Sequence, residues 1–315
     1  MKEFRPEGLR MDTPENRAAL RSPAALSEAY RTHQLLEARA VVCDSDHNLL
    51  VDLGCMRGFI PREEGALGIA EGSVKDIAVI SRVNKPVCFY ITGFSARNGV
   101  PYALLSRREA QIACKEAYLS HLVPGDIIDA RVTHLEPFGA FTDIGCGLPS
   151  LIPIDAISVS RISHPRERFA PGMDIRAVVR AIDSEGRICL SHRELLGTWS
   201  ENAERFHPGE TVAGIVRSVE PYGIFVELTP NLAGLAEPKD GTLAGQQASV
   251  YIKNLLPEKM KIKLIIIDTF NSDYPSAAPE YFVRGSHMDR FVYSPPCALR
   301  RMETVFSETA AFTDL

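Results

Sequence analysis

Two aromatic pairs carry the clearest chemistry in the sequence. Phe138 and Phe141 flank Gly139, and Tyr222 and Phe225 take the same places 84 residues later. Exposed aromatic rings stack on unpaired bases with ~1 to 3 kcal/mol per base, so the pairs predict contact with a single-stranded nucleic acid. Residues three apart on a regular strand face opposite sides, so either Gly139 kinks the strand or one ring is in the core. The alternative is that both rings fill a core.

Charged groups near the first pair are candidates for phosphate contacts. Arg187 and Asp183 lie in a predicted turn and are candidates for a phosphate or base-edge contact. The alternative for Arg187 is a solvated charge that binds no ligand. His164 and Arg166 are weaker candidates, and either could supply a cation or a stacking group to the same site. For these two residues a surface role without a ligand is favoured.

A lysine stripe accompanies the second pair. The final predicted strands of that copy carry Lys253, Lys259, Lys261 and Lys263. The period of two from Lys259 to Lys263 predicts that these lysines share one strand face, where they would form a phosphate track. The alternative is a row of solvated lysines that protects a sheet edge.

An internal repeat organises these residues. The segments PGDIIDARVTHLEPFGAFTDI from Pro124 and PGETVAGIVRSVEPYGIFVEL from Pro208 align without gaps. A weaker copy, which is the first along the chain, begins at Ala38. Its closing LLSRRE matches the CLSHRE that closes the middle copy. In this first copy the aromatic positions hold His47 and Leu50. We therefore expect weak or absent stacking there, and docking to a protein partner instead.

The middle copy predicts a small barrel. Alternating apolar residues and turn residues indicate five strands at about 127–133, 138–144, 148–154, 174–181 and 186–192, with a short helical turn in the segment from Ser163. Five short strands with a longer connection before the fourth are typical of a Greek-key barrel of the OB type. Thr13 with Pro14 and Ser22 with Pro23 predict the starts of N-terminal helices.

The sequence as a whole predicts a mainly β protein of three tandem five-stranded OB-fold barrels with helical linkers and an N-terminal helical segment. The expected domains are the N-terminal extension 1–35, a degenerate first barrel 36–109, a helical linker 110–122, a second barrel 123–194, a helical linker 195–207, a third barrel 208–268 and an aromatic and proline-rich tail 269–315. In the tail, Tyr281, Phe282, Phe291 and Tyr293 either cap the third barrel or form a partner site.

Composition narrows the class of protein. A chain of 315 residues with 45% hydrophobic residues should form two or three folded domains, and no signal peptide or membrane span is apparent. The net charge of −5 argues against a protein that wraps duplexes. The seven cysteines are scattered, which predicts buried thiols in a reducing cytoplasm, with no disulfide framework and no metal site.

The repeat resembles the RNA-binding repeat of bacterial ribosomal protein S1. The resemblance rests on the phrases EPFGAF and EPYGIF, the preceding Pro-Gly and the closing GRICLSHRE, and it spans roughly residues 36 to 268. The three repeats, the degenerate first copy and the unusual tail are similar to the short S1-like proteins of Firmicutes.

The resemblance implies that an OB barrel binds single-stranded RNA through two aromatics, a histidine, an aspartate and an arginine. The second copy matches with Phe138, Phe141, Asp183 and Arg187, but it has Pro153 at the histidine position. The third copy keeps Tyr222 and Phe225, and it has Glu237, Pro257 and Lys261 at the histidine, aspartate and arginine positions. The resemblance therefore implies phosphate contact in the third barrel with reduced base recognition.

The predicted function is non-catalytic binding of single-stranded RNA in translation, with messenger RNA or the small ribosomal subunit as the setting and without a cofactor. Phe138, Phe141, Tyr222 and Phe225 would stack on bases, while Arg187, Lys261 and Lys263 would contact the backbone. The alternative is a protein-docking adaptor that contacts RNA only incidentally. Catalysis is not expected, because His192 with Asp183, or His287 with Asp289 and Cys297, match no catalytic motif.

Overall fold

The computed structural model describes residues 4–271 and 278–306, and over these residues the protein is mainly β. Three sheets close into five-stranded barrels. The chain forms two compact units: the first contains residues up to 122 with 129–131 and 143–149, and the second contains the remaining residues. Residues 272–277 and 307–315 of the expected tail lie outside the described residues.

The first unit begins with two helices. Helices α1 and α2 span Pro14–Leu20 and Pro23–Arg31. The side chains of Thr13 and Ser22 accept hydrogen bonds from the backbones of Asn16 and Ala25, and a proline follows each cap. A capping oxygen and a proline at the first helical position both favour initiation, so these two starts are confirmed.

The first barrel follows the two helices. Its strands are β1 (Leu36–Cys43), β2 (Leu49–Asp52), β3 (Arg57–Ile60), β4 (Pro86–Arg97) and β5 (Val100–Ser106), with the short helix α3 (Ile77–Ile80) before β4. Its core is aliphatic, with Phe89 as its one fully buried aromatic ring among the described residues. Helix α4 (Arg107–Ala117) follows directly, capped by the Ser106 hydroxyl.

The second barrel contains five strands at the places that the sequence predicts. They are β6 (Ile127–Glu136), β7 (Gly139–Asp143), β8 (Pro149–Pro153), β9 (Asp174–Ile182) and β10 (Ile188–Ser191). The expected helical turn is a 3-10 turn at Pro165–Glu167, in which the His164 ring accepts the Arg166 backbone N–H and the Glu167 carboxylate accepts the His164 backbone N–H. Helix α5 (Trp199–Ala203) follows in the predicted second linker.

The third barrel and the tail complete the second unit. The barrel strands are β11 (Thr211–Glu220), β12 (Gly223–Thr229), β13 (Leu232–Ala236), β14 (Gln247–Leu256) and β15 (Lys261–Phe270), and the tail forms a hairpin of β16 (Arg290–Val292) and β17 (Glu303–Val305). Phe291 and Tyr293 are buried in the same core cluster as the third barrel, so the capping role is confirmed for these two rings.

All three barrels share one strand order. The first strand pairs with the second and fourth, the second with the third, and the third with the fifth, in parallel, while the fourth and fifth are antiparallel. The parallel pairing closes the sheet and leaves no free edge. This topology is that of the OB fold, as the sequence predicts.

Candidate nucleic-acid interface

Phe138 and Phe141 lie together on the outside of the second barrel. Phe138 is 55% exposed and Phe141 is half-buried, and their ring centroids are 6.0 Å apart with an interplanar angle of 87°. The alternative that both rings fill the core is therefore wrong. Phe138 precedes β7, and its carbonyl oxygen accepts a hydrogen bond from Ile154 N–H at 2.9 Å. Its side chain therefore does not follow the alternation of inward and outward side chains along β7.

Gly139 is needed because two strands approach closely beside these rings. A Cβ atom at this position would lie 2.5 Å from the backbone oxygen of Ile152 in β8. Only glycine leaves room for that approach. The glycine therefore lets β7 begin directly after Phe138 in close contact with β8.

His134 is a third ring at this site that the sequence reasoning missed. It lies on β6 with its side chain 64% exposed, and it stacks on Phe141 with centroids 6.4 Å apart and an interplanar angle of 27°. Its Nε2 lies 2.7 Å from Glu136 Oε1. Pro153, at the position where the resemblance implies a histidine, ends β8. A ring on a different strand therefore adds to the stacking surface.

Asp183 orders the turn between β9 and β10. Its Oδ1 accepts the backbone N–H groups of Glu185 and Arg187 at 2.9 and 2.8 Å, and its Oδ2 accepts Arg187 Nε at 2.6 Å. These hydrogen bonds, first that of the Arg187 side chain, lower the pKa of Asp183. The guanidinium is 74% exposed, so Asp183 orients Arg187 while solvent still reaches it.

The third barrel repeats the aromatic geometry. Tyr222 is 68% exposed and Phe225 is half-buried, with ring centroids 6.2 Å apart and an interplanar angle of 86°. Tyr222 precedes β12 as Phe138 precedes β7. Two barrels with only partly similar sequences thus present the same edge-to-face pair.

The lysine stripe is shorter than the sequence predicts. Lys261 and Lys263 are exposed on one face of β15, and Ile265 and Ile267 continue that exposed face. Lys259 lies in the 3-10 turn Pro257–Lys259 before the strand begins. The expectation that it shares the strand face is wrong, because Met260 has a left-handed backbone with φ of 49° and interrupts the extended run.

The first barrel has an aromatic pair that its sequence alignment does not show. His47 lies in a turn, 3.3 Å from Asp76 Oδ2, and Leu50 is half-buried. Directly opposite Leu50 on β3 is Phe59. Its ring centroid is 6.0 Å from that of Tyr102 on β5, at an interplanar angle of 71°, and both rings are half-buried.

Strand register explains where Tyr102 lies. The parallel pairs between third and fifth strands are Phe59 with Leu104, Leu151 with Cys189, and Leu235 with Lys263. Two residues before the fifth-strand partner stand Tyr102, Arg187 and Lys261 respectively. The first barrel therefore has a ring where the other two have a cation. The match of LLSRRE with CLSHRE already aligns Tyr102 with Arg187, but only the strand pairing shows that Tyr102 meets Phe59, which is 43 residues away.

The residues weighed for catalysis serve other contacts. His287 Nδ1 lies 2.7 Å from Asp126 Oδ1 and its Nε2 lies 3.2 Å from Asp289 Oδ1. Over residues 4–271 and 278–306, no cluster of three or more His, Cys, Asp or Glu side chains could hold a metal ion. None of the helices described there is long and apolar enough to cross a membrane.

The cysteines are only partly the buried thiols that we expected. Cys88, Cys114, Cys146 and Cys189 are buried, whereas Cys43 and Cys55 are half-buried and Cys297 is exposed. All seven are free thiols. Cys88, Cys114 and Cys146 share one cluster of the first unit, which their positions in the sequence do not suggest.

His192 is buried in the second barrel as a neutral side chain. Its Nδ1 lies 3.0 Å from the carbonyl oxygen of Ile157 and its Nε2 lies 3.2 Å from the Tyr281 hydroxyl, which also accepts the Arg176 backbone N–H. Burial lowers the pKa of His192 to about 4. The side chain therefore serves as an anchor for Tyr281 of the tail.

This burial predicts a pH dependence of stability. Between pH 6.5 and 4 the unfolded chain binds a proton at His192 that the folded chain does not, so stability falls as the pH falls through this window. We expect about 3 kcal/mol to be lost there through this residue. Urea unfolding of the native chain and of His192→Gln between pH 4.5 and 7.5 should show a shallower dependence in the variant. Equal slopes would contradict the prediction.

Comparisons with known proteins agree with this architecture. A family model described as S1 RNA binding domain matches residues 122–193. The small ribosomal subunit protein bS1 of Staphylococcus aureus (strain COL) is 29% identical over 277 residues, covering 82% of this chain and 68% of that protein. The bS1 protein of Leuconostoc lactis is 28% identical over 230 residues, covering 69% of this chain and 52% of that protein.

Among solved structures, a multidomain protein with nucleic acid binding domains from Streptococcus pneumoniae is 13% identical, covers 75% of this chain and 74% of that chain, and has a TM-score of 0.25. A likeness of that size supports no conclusion about function.

Three closed barrels of one topology define a tandem OB-fold protein. The relatives and the matching domain then point to one kind of protein: residues 122–193 match an S1 RNA binding domain, and most of the chain is similar to bS1 proteins of the small ribosomal subunit.

Proposed function

We propose that this protein binds single-stranded RNA without catalysing a reaction, in a ribosome-associated role in which messenger RNA is the ligand. The observation that carries the proposal is the repeated pair of exposed edge-to-face rings on the outer faces of the second and third barrels. The match to an S1 RNA binding domain and the relatives named as small ribosomal subunit proteins support it.

Stacking is the main source of affinity in this mechanism. Phe138, Phe141 and His134 offer ring faces in the second barrel, and Tyr222 and Phe225 offer them in the third. Stacking tolerates any base, so the sequence preference should be modest. Arg187, Lys261 and Lys263 then contact phosphates beside the stacked bases. The pair of Phe59 and Tyr102 extends the same chemistry to the first barrel.

Contacts within the second unit join its two barrels. Arg217 Nε donates to Glu227 Oε2 at 2.7 Å, and Arg168 also pairs with Glu227. The same Arg217 pairs with Glu167 of the second barrel. An RNA strand bound to one barrel is therefore kept near the other barrel, which raises the effective concentration of the RNA at the second site.

The test is equilibrium binding of the full chain to a fluorescent, unstructured RNA of about 20 nucleotides, which can span two OB folds. We expect micromolar or tighter binding. The three principal cations should contribute about −2 to the slope of log K against log salt, at roughly −0.7 per phosphate contact. Absence of binding at low salt would overturn the proposal.

A second candidate function is docking of a protein partner on the first barrel. Helix α3 and its neighbours expose four apolar side chains, namely Val74, Ile77, Ile80 and Val83, and Ile77 is 64% exposed. Contiguous exposed apolar side chains often mark interaction surfaces. If the native chain fails to bind RNA, an Ile77→Ser, Ile80→Ser variant that loses a ribosomal partner would favour this second function.

A further inference from the structure

A groove of about 750 Å³ lies in the second unit, outside the aromatic site. One wall is the connection after β8, at residues 154–162, and the other is the tail hairpin. Four arginines line the groove: Arg161, Arg193, Arg300 and Arg301. The chain as a whole has a net charge of −5, so this concentration of positive charge is a local feature.

The carboxylates in the groove do not cancel this charge. Its acidic residues are Asp155 and Glu303. Glu303 already accepts Arg290 Nε at 2.6 Å and Arg301 Nε at 3.0 Å, and these contacts, first that of Arg290, lower its pKa. Arg193 reaches Glu194 at 3.1 Å.

Two of the arginines are available to a ligand. Arg161 and Arg300 are exposed, and over the described part of the chain neither side chain has a hydrogen bond or an ion pair. Their guanidinium groups can therefore bind an anion without first breaking a contact. A guanidinium presents a planar fork of donors that matches two oxygens of a phosphate.

The hairpin that carries Arg300 and Arg301 is held firmly. The Tyr293 hydroxyl donates to the Asn231 carbonyl oxygen at 2.6 Å, and Trp199 N–H donates to the Tyr293 carbonyl oxygen at 3.0 Å. Thr304 Oγ1 donates to Glu194 Oε1 at 2.9 Å. This anchoring fixes the backbone that carries these arginines, so less entropy is lost on binding.

The groove adjoins the stacking rings of the second barrel. Ile154 lines the groove, and its N–H donates to the Phe138 carbonyl oxygen at 2.9 Å. Asp155, the next residue, lies 3.8 Å from Arg180 on β9. A backbone hydrogen bond therefore joins Phe138 to the wall of the groove, and we expect an RNA strand whose base stacks on Phe138 to place its next phosphates near the groove.

We propose that this arginine groove binds the phosphate backbone of the RNA strand that leaves the stacking site on the second barrel. The inference rests on the proposed RNA binding, and it gives the C-terminal tail a direct part in it. Phosphate contacts of this kind position a strand without reading its sequence. The groove would therefore lengthen the bound RNA segment and leave the base preference unchanged.

The test compares two RNA lengths. For an Arg161→Ala, Arg300→Ala variant of the full chain, we expect about tenfold weaker binding to an RNA of about 20 nucleotides, and less than about a twofold change for one of about 5 nucleotides, which fills only the stacking site. The salt slope for the long RNA should become shallower by about 1.4, at roughly 0.7 per lost contact.

A matched control separates the groove from net charge. Arg21→Ala, Arg31→Ala removes the same charge from two exposed arginines of the first unit, one directly after α1 and one at the end of α2. Equal losses in both variants, or an unchanged affinity for the long RNA in the groove variant, would overturn the inference. So would a groove variant that keeps RNA binding and loses binding to a polyglutamate peptide. If the native chain binds no RNA, the proposed function itself fails.

Discussion

Replacing Phe138 and Phe141 together with alanine is expected to weaken binding to unstructured RNA at least thirtyfold. Each ring offers a face to a base, and the loss of two such contacts at ~1 kcal/mol or more apiece corresponds to roughly that factor. The salt slope should stay nearly unchanged, because the variant keeps Arg187 and the lysines of β15. Fluorescence anisotropy over a salt series measures both quantities.

The single variants should show that the two rings act as one site. Their centroids are 6.0 Å apart, so loss of one ring also removes support for the other. We expect each single variant to lose more than half of the binding free energy that the double variant loses. Purely additive losses would indicate two independent base sites.

A matched control for this experiment is Phe94→Ala. Phe94 is 40% exposed on β4 of the first barrel, and its ring centroid is 5.9 Å from that of Tyr30 on α2. The Phe94→Ala variant should bind RNA with the affinity of the native chain. If the Phe138 and Phe141 variant keeps native affinity and an unchanged thermal midpoint, stacking at this site is not the mechanism.

The second large effect is expected on stability, at a buried ion pair of the first unit. Arg107 donates to Glu7 through Nε at 2.6 Å and Nη2 at 3.0 Å, and both side chains are at most 4% exposed. Arg82 also reaches Glu7 at 3.1 Å. Burial disfavours the charged form of Glu7, but the positive charge of Arg107 and then of Arg82 outweighs it and lowers its pKa.

A second carboxylate makes the removal of Arg107 costly. Asp143 Oδ2 accepts the Glu7 backbone N–H at 2.7 Å, and burial, followed by the charge of Glu7, raises the pKa of Asp143 to about 7. In Arg107→Met, Glu7 would remain buried beside this group without its main partner. We expect a loss of ~3 to 5 kcal/mol in the free energy of unfolding at pH 8, measured by urea denaturation.

The sign of the pH effect tests the cause. Without Arg107, the pKa of Glu7 should rise, and protonation would relieve the buried charge, so the loss should be smaller at pH 5 than at pH 8. A Glu7→Gln, Arg107→Met double variant should recover part of the stability. Arg108→Ala, which breaks the more exposed pair with Glu71 at 2.8 Å, is the control and should cost less than ~1 kcal/mol. A loss that is equal at both pH values would contradict this account.

Much of the fold followed from local patterns. The repeat spacing, the alternation of apolar residues and the turn glycines predicted the five strands of the second barrel, and Thr13 and Ser22 with their prolines predicted two helix starts. These features depend on residues within a few positions of one another. The prediction that Lys259 shares a strand face with Lys261 and Lys263 was wrong for a local reason too. The left-handed residue Met260 separates the turn that contains Lys259 from β15.

The outer-face placement of both rings in each pair was open in the sequence. A regular strand would put Phe138 and Phe141 on opposite sides, and only the structure shows both rings on the outside, because Phe138 stands just before β7 begins. His134 joined the site because β6 lies beside β7, with Thr133 Oγ1 donating to the Phe141 carbonyl oxygen at 3.2 Å. Strand pairing therefore decided the composition of the site.

The sequence by itself determined the class of the protein: three OB barrels, with aromatic pairs in two of them at positions that a regular repeat marks. The tertiary structure alone decided the contacts between distant residues. These are the ion pair of Glu7 with Arg107 across 100 residues, the rings of Phe59 and Tyr102, and the arginine groove between the second barrel and the tail. The physical reason is that periodicity encodes which way a side chain faces on its own strand, whereas barrel closure and strand register decide which distant side chains meet.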